Sequence, residues 1–223
     1  MIVTMALNTS SIGCVSVNDE VVHGIPRKDH IIKEGDIVSL DTGLIYKGYH
    51  SDAARTHGVG EISKEAALLI ERTRESFFQG MQYARAGRRL YEISGAIGDY
   101  AESYGYGVVY DLVGHGIGTH LHEEPEIPNF RQWRRGLKLK AGMTLAVEPI
   151  INAGSPDVEW CFHNVQIRNH RRLLLSIHHP SIPHPGFRHL SSAQLPMSFL
   201  PSASVLFSTG GNSESVLCSA VTG

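Results

Sequence analysis

The residues of this chain best suited to chemistry are carboxylates and imidazoles, and the first pair sits on a predicted hairpin. The stretches Asp36 to Asp41 and Leu44 to His50 alternate and are rich in β-branched and aromatic residues. Lys47-Gly48 reads as a two-residue turn between two strands. With that turn, Gly43 faces Asp52 and Asp41 faces Ala54. Asp41 and Asp52 then become diagonal neighbours on one face, within ~7–8 Å of each other. Two such charges repel, and one pKa would rise strongly unless a cation lay between them. Hard oxygen ligands on a rigid hairpin are what a divalent metal site requires. The plainer alternative is that both aspartates flank turns at the surface.

A second cluster is the string GHGIGTHLHEEP, which contains His115, His120 and His122. The glycines on either side of His115 allow backbone and imidazole to approach something closely. An imidazole is the commonest neutral metal ligand and also serves as a general acid or orienting donor. A solvated Gly/His connector is the competing reading, and the glycine spacing is not a phosphate-binding fingerprint. Glu148 interrupts the apolar run LAVEPI, where burial is costly unless the carboxylate is paired or metal-bound; outward alternation on a half-exposed strand is the alternative. His23, in VVHGIP, precedes a turn and by itself reads as structural.

The elements that must position these residues are legible in part. Val15 to Pro26 reads as a strand-like stretch ending in the HGIP turn. Ser63 to Ala86 is the clearest helix, capped by Ser63 and closed by Gly87. Its apolar residues Ala66, Leu69, Ile70, Phe77, Met81 and Ala84 recur at helical spacing. A second helix runs from about Leu90 to Tyr104. Then follow a strand (Gly107 to Val113), the histidine loop, a basic connector (Phe130 to Lys140) and a strand (Thr144 to Asn152).

The 223 residues suit one domain, or one domain with a tail. The net charge of −2 gives no electrostatic reason to expect nucleic acid or an anionic membrane as partner. The three cysteines are widely spaced and odd in number, which fits a reduced cytoplasmic protein better than a disulfide scaffold. No segment approaches the ~20 apolar residues of a membrane helix, and the start lacks the basic n-region of a secretory signal. Composition shifts near Trp160. From Cys161 onward Glu214 is the only acidic residue, and Ser, Pro, His and Leu dominate without sustained periodicity. Residues 1–160 are therefore expected to form the folded domain. Residues 161–223 are expected to be a disordered tail of unrelated sequence, read from a shifted frame.

Four strings together resemble type I methionine aminopeptidases: CVSVNDEVVHGIP, DIVSLDTGLIYKGYHSDAART, GHGIGTHLHEEPEIPNF and GMTLAVEPIINAG. The resemblance runs from about Ile12 to Trp160. It implies an α+β pita-bread fold, a curved antiparallel sheet backed by helices, incomplete here at both ends. It also implies a dinuclear site in which Asp41 chelates one ion, Asp52 bridges two, and His115 and Glu148 complete the other shell. The ions would be Co, Mn, Fe, Ni or Zn. By the same resemblance His23 and His122 would orient the substrate and stabilise charge at the scissile amide, and Cys14 and Leu121 would line the methionine pocket. The implied activity is removal of N-terminal methionine when the second residue is small. The substrates would be peptides and nascent chains, handled by a cytoplasmic monomer with ribosome association, no nucleic acid and no membrane partner.

The sequence departs from that pattern in two places. The family's second bridging glutamate, in a strand of the form S-A-x-x-E-H-T, has no counterpart, since no acidic residue lies between Glu159 and Glu214. His178 or His179 falls nearby, but an imidazole cannot bridge two ions. At least one of the two ion sites is expected to weaken greatly, a single-ion enzyme with residual activity is one outcome, and strong turnover is not expected. The family's helix pair ahead of the S-V-N segment is also missing, which would leave one sheet face bare. Two rivals follow: a catalytically inactive remnant or peptide- or ribosome-binding pseudoenzyme, and an X-Pro-directed peptidase of the same fold.

Overall fold

The computed structural model describes residues 12–161 together with 166–168 and 217–220. In chain order the strands are β1 (Ile12–Val17), β2 (Glu20–Val22), β3 (Ile37–Tyr46) and β4 (Tyr49–Gly58). Helices α1 (Lys64–Met81) and α2 (Leu90–Ser103) follow. After them come β5 (Gly107–Val108), β6 (Gly114–Gly116), β7 (Glu123–Ile127), β8 (Thr144–Val147), β9 (Ile151–Asn152), β10 (Glu159–Cys161), β11 (Gln166–Arg168) and β12 (Leu217–Ala220). Apart from these short strands, the expectation for residues 161–223 lies outside the described residues, and so do His178 and His179.

The expected curved antiparallel sheet is divided into short ladders, β1-β3-β4, β10-β11-β2, β12-β8-β6-β7 and β5-β9. All are antiparallel except β12 against β8. The hairpin β3–β4 has the register read from its turn, with Gly43 opposite Asp52 and Asp41 opposite Ala54. Lys47 and Gly48 both have positive φ, 51° and 82°. That is the backbone a two-residue turn needs to follow the twist of its strands.

Ser63 caps α1 through a hydrogen bond from the Ala66 amide. The helix stops at Met81, short of the expected Ala86. Tyr83 and Ala84 donate instead to Gly80 and Met81, tightening the last turn, and the segment then runs toward Gly87, whose amide donates to Leu139. The strand expected over Thr144–Asn152 is two strands, broken at Glu148-Pro149 where proline cannot donate to a ladder. The strand expected over Gly107–Val113 reaches only Val108.

The two helices back the β6–β8 ladder. Phe77, Ile93 and Ile97 pack with Ile127, Leu145 and Val147 in one buried cluster. A second cluster joins Ile37 at the start of β3 to Leu69, Ala101, Val108 and Ile151. Each fully buried Phe, Leu, Ile or Val side chain among them contributes roughly 1.5–3 kcal/mol. Gly114 shows how closely the ladder is packed, because a Cβ there would meet the Ala146 carbonyl oxygen at 2.3 Å. Gly114→Ala is expected to destabilise the chain by about 1–3 kcal/mol in urea unfolding, by forcing β6 off β8. An unchanged midpoint would show that the ladder yields freely.

Candidate metal centre

Three ladders deliver the four acidic and imidazole groups to one place. In β3, Asp41 lies in register between Cys14 of β1 and Ala54 of β4. Asp52 lies one diagonal step away on β4. His115 pairs with Ala146 across β6 and β8. Residues two apart on a strand share a face, so Glu148, just past the end of β8, falls on the side His115 uses. One ligand atom from each of Asp52, His115 and Glu148 lies within 4.8 Å of the others. Asp41 joins the cluster through a hydrogen bond between its carboxyl and that of Asp52.

The His115 imidazole is fixed from behind. Its Nδ1 is 2.8 Å from the Gly116 carbonyl oxygen, which can only accept, so Nδ1 carries the proton. Nε2 is then turned to the carboxylates, 3.0 Å from Glu148 Oε1 and 3.7 Å from Asp52 Oδ2. This is the arrangement in which a metal-ligating histidine has its tautomer set by its other nitrogen. Asn129, fully buried, donates through Nδ2 to the Glu148 carbonyl and pins the end of β8. Sequence reasoning missed Asn129, whose signal was an amide between the buried Ile127 and the partly buried Phe130.

The electrostatics test whether a cation fits. Burial, the charges of Asp52 and Glu148 and the hydrogen bond to Asp52 push the Asp41 carboxyl up to about 8. Burial and the Asp52 charge also raise Glu148, against the hydrogen bond from His115. Burial disfavours a charged His115, but its bonds to Asp52 and Glu148 outweigh this and push it up to about 10. These shifts reflect two things together, burial of the cluster and an excess of negative charge within it. A divalent cation supplies what the cluster lacks, and the donors, hard oxygens plus one imidazole nitrogen, suit it.

Without a cation, both the Asp41 and His115 shifts act on stability in the same sense. Asp41 holds its proton more tightly in the folded chain. Its contribution is present below its ordinary value of 3.8 and lost as pH rises through about 8. The His115 contribution is present below 6.5 and lost as pH rises through about 10. In chelator, the urea midpoint is therefore expected to fall as pH is raised from about 6 to about 9. A midpoint that climbs over that window contradicts the charge excess.

The other sequence-predicted residues border the cluster. The His122 ring lies 4.3 Å from that of His115. Burial and the neighbouring His115 and His23 lower its pKa, against Asp52. His23, with a positive φ of 58°, lines a small crevice with Asp41, Ser16, Ser39 and Thr56. Burial lowers its pKa too, against Asp52. The half-buried Cys14 thiol is pushed up to about 11 by burial and then by Asp41 and Asp52. Leu121 reaches over Gly43, its Cδ1 4.0 Å from where a Cβ would stand. His120 does not join them; it is exposed and faces Glu123.

Residues 4–172 match the model of metallopeptidase family M24. The chain is similar to a methionine aminopeptidase of Clostridium acetobutylicum, 56% identical over 142 residues that cover 64% of this chain and 57% of that protein. It is 50% identical to methionine aminopeptidase 1 of Bacillus subtilis over 146 residues, 66% of this chain and 58% of the other. It thus spans under three-fifths of the length of these relatives. Among solved structures, the methionine aminopeptidase of Thermotoga maritima superposes with a TM-score of 0.70 at 41% identity, covering 73% of this chain and 65% of that one. The prolidase of Pyrococcus furiosus gives 0.54 at 29%, covering 61% and 40%. The architecture is the pita-bread fold that these peptidases share, and the chain belongs to metallopeptidase family M24.

Proposed function

We propose that the chain is built to remove N-terminal methionine from peptides and nascent proteins, with Asp41, Asp52, His115 and Glu148 as its metal-holding residues. Membership of a metallopeptidase family implies a divalent metal, and the observation that carries the reading is the convergence of Asp52, His115 and Glu148 within 4.8 Å. Ions held there supply a water nucleophile at neutral pH and Lewis acidity toward a carbonyl. Co, Mn, Fe, Ni and Zn all suit the mixed oxygen and nitrogen donors.

The chain's own residues do the rest. His122, kept neutral near pH 7 by burial and by His115, donates an N–H to the carbonyl oxygen as charge develops on it. His23, also held neutral, orients the substrate amide from the other side. Cys14 and Leu121 give the methionine side chain an apolar wall, where a thiol that does not ionise near neutral pH behaves as a small hydrophobe. The higher identity and TM-score of the methionine aminopeptidases, compared with the prolidase, support this specificity over X-Pro cleavage.

A second reading is favoured by one observation: no acidic residue lies between Glu159 and Glu214. With three carboxylates around the site, a second ion is held weakly, and a peptide-binding pseudoenzyme results. Incubating the purified chain with Met-Ala-Ser, and separately with an X-Pro dipeptide, under each metal decides between the readings. Release of free methionine from the first substrate alone is expected. Cleavage of neither, with one or no ion retained, would favour the pseudoenzyme.

A further inference from the structure

The net charge of −2 conceals a strongly basic surface built from two segments of the chain. The connector between β7 and β8 carries Arg131, Arg134, Arg135, Lys138 and Lys140, and the turn between α1 and α2 carries Arg85, Arg88 and Arg89. The fold zips these segments together. Arg89 forms a β-bridge with Lys138. Leu90 donates to the Leu137 carbonyl, Leu139 to Arg88 and Gly87 to Leu139, and the Arg89 guanidinium donates to Gly136 at 3.1 Å. All eight cationic residues are exposed. Arg88 is paired with Glu92 and Arg131 with Asp99. The other six have no carboxylate within ion-pair distance among the described residues.

Within the connector Trp133 is 103% exposed and is followed directly by Arg134 and Arg135. An indole wholly in water gains nothing from the fold, so its contact has to come from outside. The remaining apolar residues of the connector are not available with it. Leu139 is buried in the core cluster and Leu137 packs against it. The surface therefore offers one aromatic plane among cations, and no apolar face that could enter a bilayer.

We infer that this surface binds single-stranded nucleic acid, with the cations on the phosphates and Trp133 stacked on an unpaired base. Arginine-rich grooves that carry an exposed aromatic ring suit such strands, since every base presents a π-face and every phosphate a charge. A duplex suits it poorly, because its bases are already stacked.

The test is titration of the full chain with oligouridylate and with oligothymidylate, following tryptophan fluorescence and the anisotropy of a labelled strand. Quenching on binding is expected. If about four phosphates are engaged, affinity should fall about fifty-fold between 50 and 200 mM salt. Trp133→Ala should abolish the quenching and weaken binding about fivefold or more. The double variant Arg134→Glu with Arg135→Glu should lower the salt slope by about two contacts, while Lys64→Glu, a cation elsewhere on the surface, changes neither. A preference for uridylate over thymidylate makes the ligand RNA, and equal binding makes it single strands in general. No binding at low salt, affinity indifferent to both patch variants, or tighter binding to phosphatidylserine vesicles overturns the inference.

Discussion

Glu148→Ala should leave the chain unable to retain a divalent ion through gel filtration. Glu148 is the one cluster member supplied by the break between β8 and β9, and its Oε1 stands 3.0 Å from His115 Nε2. Removing it deletes a ligand atom and also takes away the carboxylate in contact with the His115 Nε2, so a second donor loses a neighbour through one substitution. Loss of a residue that merely orients a ligand typically costs 10–100-fold in metal affinity, so loss of a ligand should cost more than about 100-fold. Calorimetric titration and elemental analysis measure this directly. Metal bound as tightly as in the unaltered chain would mean that the ion sits elsewhere. Thermal unfolding gives a second readout: an ion at about 100 times its Kd stabilises the unaltered chain by about 2.7 kcal/mol, and the variant should show no such gain.

His122→Ala makes the complementary case. Its ring touches that of His115 without entering the group of three ligand atoms, so metal uptake should be unchanged. Turnover of Met-Ala-Ser should drop by about 10²–10⁴, the usual contribution of a positioned proton donor or acceptor. The loss should fall on kcat with little change in KM, because a bond to developing charge is made only in the transition state. Full activity in the variant would remove His122 from the chemistry. Loss of metal as well would make it a positioning residue for His115.

Much of the layout of the candidate site was legible because the hairpin's geometry follows from parity. A two-residue turn fixes the hairpin register, and alternation then decides which face Asp41 and Asp52 share. The glycines around His115 likewise announced a close approach, and Gly114 lies against the Ala146 carbonyl. What escaped the sequence depends on contacts between distant segments. Nothing local marks Asn129 as the residue that pins the end of β8. The segment after the early end of α1 is tied down by a bond from Gly87 to Leu139, 52 positions along the chain. The basic surface was hidden for a third reason. A net charge averages over the whole chain, whereas a phosphate senses only what the Arg89–Lys138 bridge brings together.

The turn at Lys47-Gly48 also governs which changes of length this protein can absorb. One residue added between Asp41 and Tyr46 within β3 would rotate the Asp41 carboxylate to the opposite side of the ribbon, while two would restore its direction one pleat further along. Extra residues placed between Lys47 and Gly48 bulge outward past the last paired rung, Tyr46 with Tyr49, and leave every rung below it in place. Variation in this hairpin should therefore collect at its tip, or arrive in pairs.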